Sequence, residues 1–264
     1  MGQEIQRAEV LTGDLIAAYG EEVICVVLYG SAARDQFHEG VSDLNLLVLL
    51  RSADPMLIRR GSALARRWVS EGNPPPLLLS EEELRRSLDI FPIEYSDIQE
   101  AHRVLYGADP FAELVIDREH LRLQCERELK GKLIQLREHF LLAAEEPGEL
   151  GELLRRSIST FLVLFRTALR LVGDAVPPDA SDVVRAVAVP AGFDPSSLLE
   201  ILRVRKAGTA FEPAPADPVV TGYLQAVAQT VEWVDGLGNR APRLGDVRDV
   251  RSSAPAAPRS GEVS

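Results

Sequence analysis

Two apolar runs, Val23–Tyr29 and Leu44–Leu50, the second broken only by Asn45, constrain the fold of this 264-residue chain more than any other feature. The first is rich in β-branched residues, and neither run alternates with polar side chains. A strand of that kind is buried on both faces, so other elements must cover it on both sides. The segment between the runs begins with Gly30-Ser31, continues through the polar, turn-rich Arg34–Gly40, and ends in Asp43-Leu44-Asn45. Two interior strands joined this way place a glycine bend and a carboxylate at one edge of a sheet.

The flanking pattern alternates helices and strands. Ile5, Ala8, Leu11, Leu15 and Ala18 recur at helical spacing and predict an opening amphipathic helix that stops near Gly20. Pro55 starts a second helix that runs to about Glu71 along the Leu57, Gly61, Leu64 and Trp68 face. Asn73-Pro74-Pro75-Pro76 halts it, and Leu77-Leu78-Leu79 reads as a short strand. Ser80 and Glu83 form a capping box for a helix through Leu88, and Phe91–Ile98 reads as another strand. Alternation of this sort specifies an α/β or α+β layer.

After Asp117 the period changes. Leu121, Cys125, Leu129, Leu133, Leu136 and Phe140 form a helical stripe nearly thirty residues long, closed by Pro147-Gly148. The next helix carries apolar residues on both sides, with Ile158 and Phe165 on one and Val163 and Leu164 on the other, and so belongs in the middle of a bundle. Shorter helices near Ser181–Val189 and Pro195–Arg205, and a last one over Pro218–Val234, complete an all-helical half. The resulting expectation is an α+β domain over residues 1–115, a helical bundle over 116–236 and a disordered Pro-, Ala- and Ser-rich tail over 237–264.

Composition narrows the function. A net charge of -11 and a pI near 5.0 argue against strong nucleic-acid binding, which needs a basic face to release counterions. Two cysteines, Cys25 and Cys125, give neither a disulfide framework nor metal-ligand spacing, which fits a reducing cytoplasm. The first residues lack a signal-peptide apolar core, and no segment approaches a membrane span. Gly236–Ala241 matches a dinucleotide-binding string, but it follows a helix and precedes Pro242, and Gly131-Lys132 lies within a helix and not after a strand. His38, His102, His120 and His139 are scattered, so a structural zinc is not expected. Arg166 and Arg170 stand out on an apolar helix, where a buried guanidinium needs an anionic partner, internal or substrate-borne.

The remaining signal is chemical. Gly30 removes a Cβ from the path of a phosphate, Ser31 offers a hydroxyl and backbone N–H groups, and Asp43 and residue 45 share a strand face. Leu28-Tyr29-Gly30-Ser31-Ala32-Ala33 with Ser42-Asp43-Leu44-Asn45-Leu46 resembles the nucleotidyltransferase superfamily, which includes DNA polymerase β and the aminoglycoside nucleotidyltransferases. The resemblance spans roughly residues 22–107. It implies a mixed sheet flanked by helices, and the helical half matches the bundle of the aminoglycoside branch. It further implies NTP and Mg²⁺, with Gly30 and Ser31 on the nucleotide, Asp43 and Asn45 on the metal, and an acceptor that is a small molecule or a protein. Pro92-Ile93-Glu94-Tyr95 resembles the third strand of the streptomycin and spectinomycin adenylyltransferases, which makes Glu94 a third acid, as metal ligand or general base.

The family motif carries a second carboxylate where this chain has Asn45. An amide oxygen brings no charge and bridges two Mg²⁺ ions poorly. Three outcomes stay open: a one-metal enzyme, an enzyme whose missing charge comes from Glu94 or Asp97, or a nucleotide-binding regulatory or interaction module without turnover. A further reading makes residues 117–172 a homo-oligomer interface.

Overall fold

The computed structural model of the chain describes residues 2–33 and 43–238, and among these are four strands and ten α-helices. Helix α1 (Gly2–Tyr19) leads into β1 (Val23–Tyr29), a 3₁₀ turn at Gly30–Ala32 and β2 (Asn45–Leu50). Helices α2 (Pro55–Arg59) and α3 (Ser62–Ser70), strand β3 (Leu77–Ser80), helices α4 (Glu81–Arg86) and α5 (Pro92–Glu100), and strand β4 (His102–Gly107) follow. Helices α6 (Arg118–Ala143), α7 (Pro147–Val172), α8 (Ala180–Ala191), α9 (Ser196–Ala207) and α10 (Pro218–Gly238) form the second half. The sheet order is β3-β2-β1-β4, with β1 antiparallel to β2 and β4 and β2 parallel to β3. This is an α+β architecture with a mixed sheet followed by a helical part.

Both faces of the central strands are covered, as their largely apolar sequence demands. Val26, Leu28, Leu46 and Val48 pack with Leu11 and Leu15 of α1 and Trp68 of α3. Cys25, Val27, Leu47 and Leu49 face the other way, toward Leu84 of α4, Tyr95 and Ile98 of α5, and Phe111.

Three local expectations change. The helix expected from Pro55 to Glu71 is two helices, because the chain bends at Gly61, where a Cβ would lie 2.2 Å from the Tyr19 hydroxyl. Ser80 and Glu83 do form a reciprocal capping box, but the helix they start ends at Arg86. Phe91–Ile98 is not a strand: Pro92–Glu100 is helical, with Pro92 in the first turn where its missing N–H costs nothing. Alternating Ile93 and Tyr95 suits a strand, yet in a helix residues two apart point to nearly opposite sides. Ile93 accordingly joins the helical half's core, while Tyr95 and Ile98 join the sheet's.

The helical half has one continuous core, in which Leu129, Ile158, Phe165, Val184, Ile201 and Tyr223 are fully buried. Asp117 caps α6 by accepting from the N–H groups of Glu119 and His120, and Arg118 donates to the Leu171 carbonyl at the end of α7. The expected tail has its first two residues, 237 and 238, in α10, and 239–264 lie outside the described residues. No described helix is long and apolar enough to cross a membrane.

Candidate functional site

Strands β1 and β2 bring the Gly-Ser bend against the Asp-x-Asn segment. Tyr29 pairs with Asn45 in the last rung of their antiparallel ladder, and the chain turns immediately afterwards at Gly30. Gly30 has φ 82°, a left-handed conformation that costs other residues energy, and the Ala33 N–H closes the turn onto its carbonyl at 3.1 Å. A Cβ at Gly30 would stand 3.2 Å from Nδ2 of Asn45. Gly30 and Asn45 are therefore direct neighbours, with a space between them that only glycine leaves open.

Asp43 precedes the strand but keeps its alternation. Leu44 is fully buried in the same cluster as Leu46 and Val48, which leaves Asp43 on the Asn45 side. Asp43 is exposed and Asn45 half-buried. Burial raises the pKa of the neighbouring Tyr29 phenol, so that ring brings no charge to the bend. The side chain of Ser31, and all of residues 34–42 including His38, lie outside the described residues.

Asn73 is a positioning residue that the sequence does not single out. Buried behind β2, it accepts the Leu44 N–H through Oδ1 at 3.3 Å and donates from Nδ2 to the Trp68 carbonyl at 3.3 Å. It thus ties the backbone between Asp43 and Asn45 to the end of α3. An asparagine ahead of three prolines reads as a helix stop, although its side chain is well suited to hold a foreign backbone.

Glu94 belongs to a different neighbourhood. It is exposed on the first turn of α5, where its Oε2 accepts from Nε2 of Gln124 at 3.0 Å, while Oε1 of the same glutamine accepts the Ile93 N–H at 2.9 Å. Phe91, just before α5, lines a 660 Å³ cavity with Arg51, Ser80 and Arg86, at the sheet edge opposite Asn45. From there α5 runs back toward His102, which pairs with Tyr29. Its last turns, carrying Asp97 and Glu100, approach the Gly30 edge, and Glu94 sits about 10 Å further from that end along the axis. Both late acids are held by Arg170 of α7, Asp97 at 3.0 Å. Arg170 thus has an internal partner. His102 is also committed, to the Ile98 carbonyl at 2.9 Å and to Asp109 at 3.0 Å.

The donor set sets limits on metal chemistry. Among the described residues no three His, Cys, Asp or Glu side chains gather where an ion could sit. One carboxylate, Asp43, and one amide oxygen, from Asn45, suit a single Mg²⁺ that completes its shell with phosphate oxygens and water, and do not suit a pair.

No protein-family model and no curated protein matches the sequence. Solved structures do. A spectinomycin adenyltransferase from Enterococcus faecialis, solved with ATP and spectinomycin, superimposes over 85% of this chain and 98% of its own, at 12% identity and a TM-score of 0.54. The chain has the nucleotidyltransferase fold. A toxin-antitoxin structure with AMP-PNP also matches, over 48% of this chain and 94% of its own, at 16% identity and a TM-score of 0.30. At the β1–β2 edge of this fold the chain brings together a glycine bend and an acidic strand start.

Proposed function

We propose that the protein transfers a nucleoside monophosphate from an NTP to an acceptor hydroxyl, with one Mg²⁺ held by Asp43 and the Asn45 amide oxygen. The observation that carries this reading is the left-handed Gly30 placed directly against Asn45, a gap open to a phosphate oxygen in a shared nucleotidyltransferase fold. Gly30 and Ser31 bind phosphate oxygens through backbone N–H groups and the Ser31 hydroxyl. The ion, when bound, neutralises charge on the triphosphate. Glu94, oriented by Gln124 and too far along α5 from the Gly30 bend to reach the attacking oxygen, serves in binding the acceptor and not as the base. The acceptor oxygen forms a bond to the α-phosphorus, pyrophosphate leaves, and the hydroxyl proton passes to solvent water at the Asp43 edge.

Incubation of the full chain with labelled ATP, Mg²⁺ and a panel of hydroxyl acceptors tests the reading. Asp43→Ala should abolish transfer and weaken Mg²⁺-dependent ATP affinity at least tenfold; full activity in that variant refutes the assignment. The Asn45 amide favours a second reading, a nucleotide-binding module without turnover. Calorimetry separates the two, because affinity indifferent to Mg²⁺, together with turnover appearing only in Asn45→Asp, supports the module.

A further inference from the structure

We propose that Arg155, Ser159 and Arg205 form a second anion site, for a phosphoryl-class oxyanion, where α9 meets α7. The proposal is independent of the nucleotidyl-transfer reading, because these residues lie in the helical half, away from the Gly30 bend.

Arg155 and Ser159 are one turn apart on α7 and so share a face of that helix. Arg205, in the last turn of α9, donates from Nη1 to the Ser159 hydroxyl oxygen, which brings a second guanidinium onto the same face. Charge is not balanced there. Arg155 contacts Glu152 at 3.1 Å, but Glu152 also holds Arg156 at 2.5 Å, so one carboxylate serves two arginines. Among the described residues Arg205 has no carboxylate partner, and Nε of Arg155 is buried without a hydrogen bond. Burial, and then the nearby Arg155 charge, hold the Arg205 pKa below the usual guanidinium range. In a chain of net charge -11, Glu152 is shared by Arg155 and Arg156 while Arg205 adds a guanidinium beside Arg155, a local excess that an anion would relieve.

The geometry selects the class of anion. Two guanidinium groups offer paired N–H donors, and Ser159, already accepting from Arg205, has its own O–H free to donate. Two guanidinium forks and a hydroxyl supply more donors than one planar carboxylate accepts, and a phosphoryl-class oxyanion, with its larger set of oxygens, takes them. All three residues are half-buried, which leaves the corner reachable while limiting water. The Phe211 carbonyl packs so closely on Gly151 that a Cβ there would lie 1.6 Å from it, which fixes the segment after α9 against α7 one turn before Arg155.

Thermal unfolding of the full chain at constant ionic strength, titrated with inorganic pyrophosphate, provides the test. Wild type should gain stability with pyrophosphate and not with acetate, and Arg205→Met should bind at least tenfold more weakly. Arg205→Met should also melt higher than wild type without anion, because a like-charge contact is gone. Asp43→Ala should keep the pyrophosphate response, which separates this corner from the nucleotide bend. An equal response to ADP would identify the source as a nucleotide's phosphates, and a response to pyrophosphate alone would identify a free anion. If Arg205→Met does not fold, Ser159→Ala and Arg155→Met carry the same comparison. A wild type indifferent to pyrophosphate, or variants that respond as wild type does, overturns the proposal.

Discussion

The sheet half and the helical half bury their apolar residues in different ways. Around the sheet the core is split into two layers, one beneath α1 and α3 and one beneath α4 and α5, because the strands are apolar on both faces. The helical half has a single core running through α6 to α10. A split core confines each side chain to one thin layer, whereas a continuous core leaves every side chain surrounded. The residues proposed for phosphate and metal sit on the half with the split core, and that half is expected to open more readily than the helical one. Helix α5 belongs to both, with Tyr95 and Ile98 toward the sheet and Ile93, Asp97 and Arg170 linking it to the helices.

The largest expected effect tests that contrast at constant chemistry. Phe165 and Phe111 are both fully buried, one against Phe161 and Phe193 in the helical core, the other against the His102 ring at the margin of the sheet. Truncating a buried phenylalanine costs about 3–5 kcal/mol, more where the surroundings cannot collapse into the cavity. Phe165→Ala should fall near the top of that range and Phe111→Ala near the bottom, measured by urea unfolding. The reverse order would break the comparison.

Next in size is the seam. Arg170 has 14% of its side chain exposed, and removing it leaves Asp97 and Glu100 close together without their cation. Arg170→Met should cost about 2–3 kcal/mol, below the figure for a fully buried pair because Glu100 is partly solvated. The informative result is the shape of the transition: loss of the seam should split one unfolding step into two. A single step of unchanged steepness would mean that the Ile93 contacts and the Gln124 hydrogen bonds couple the halves without the ion pair.

How much of this was legible in the sequence depends on how many partners each residue answers to. The strands of residues 23–29 and 44–50 were readable because a long apolar run has one stable placement, and their pairing followed from the short connection. The long helices of the second half were readable from period alone. Phe91–Ile98 was misread because its residues answer to two cores at once, and that double duty imitates the alternation of a strand. The break at Gly61 depends on the Tyr19 hydroxyl, a contact 42 positions away that no local pattern contains. At the site, Gly30, Asp43 and Asn45 were legible as a motif, and Gly30 and Asn45 are in fact neighbours. Asn73, and the distance of Glu94 from that edge, depend on tertiary packing and were not.

A smaller effect is expected from Gly30→Ala. The left-handed backbone and the nearby Asn45 amide together should cost about 1–2 kcal/mol, confined to the sheet half. ATP affinity should fall much more than stability does, since the added methyl fills the gap assigned to a phosphate oxygen. Equal loss in both would reduce Gly30 to a turn residue.

The finest test uses the chain's two cysteines, one in each half. Burial pushes the Cys25 thiol from an ordinary 9.0 up to about 11, and the Cys125 thiol up to about 12. Both are neutral in the folded state, and the stability they contribute is complete below 9.0 and is lost as pH rises through the folded values. At about pH 8 an aromatic disulfide reagent can reach either thiol only when its region opens, so each labelling rate reports the opening of one half. Cys25, in the split core, should label first as urea is raised, and Arg170→Met should widen the gap between the two rates. Identical rates with identical urea dependence would show that the halves open as one unit, and the greater firmness assigned to the helical core would then have no thermodynamic content.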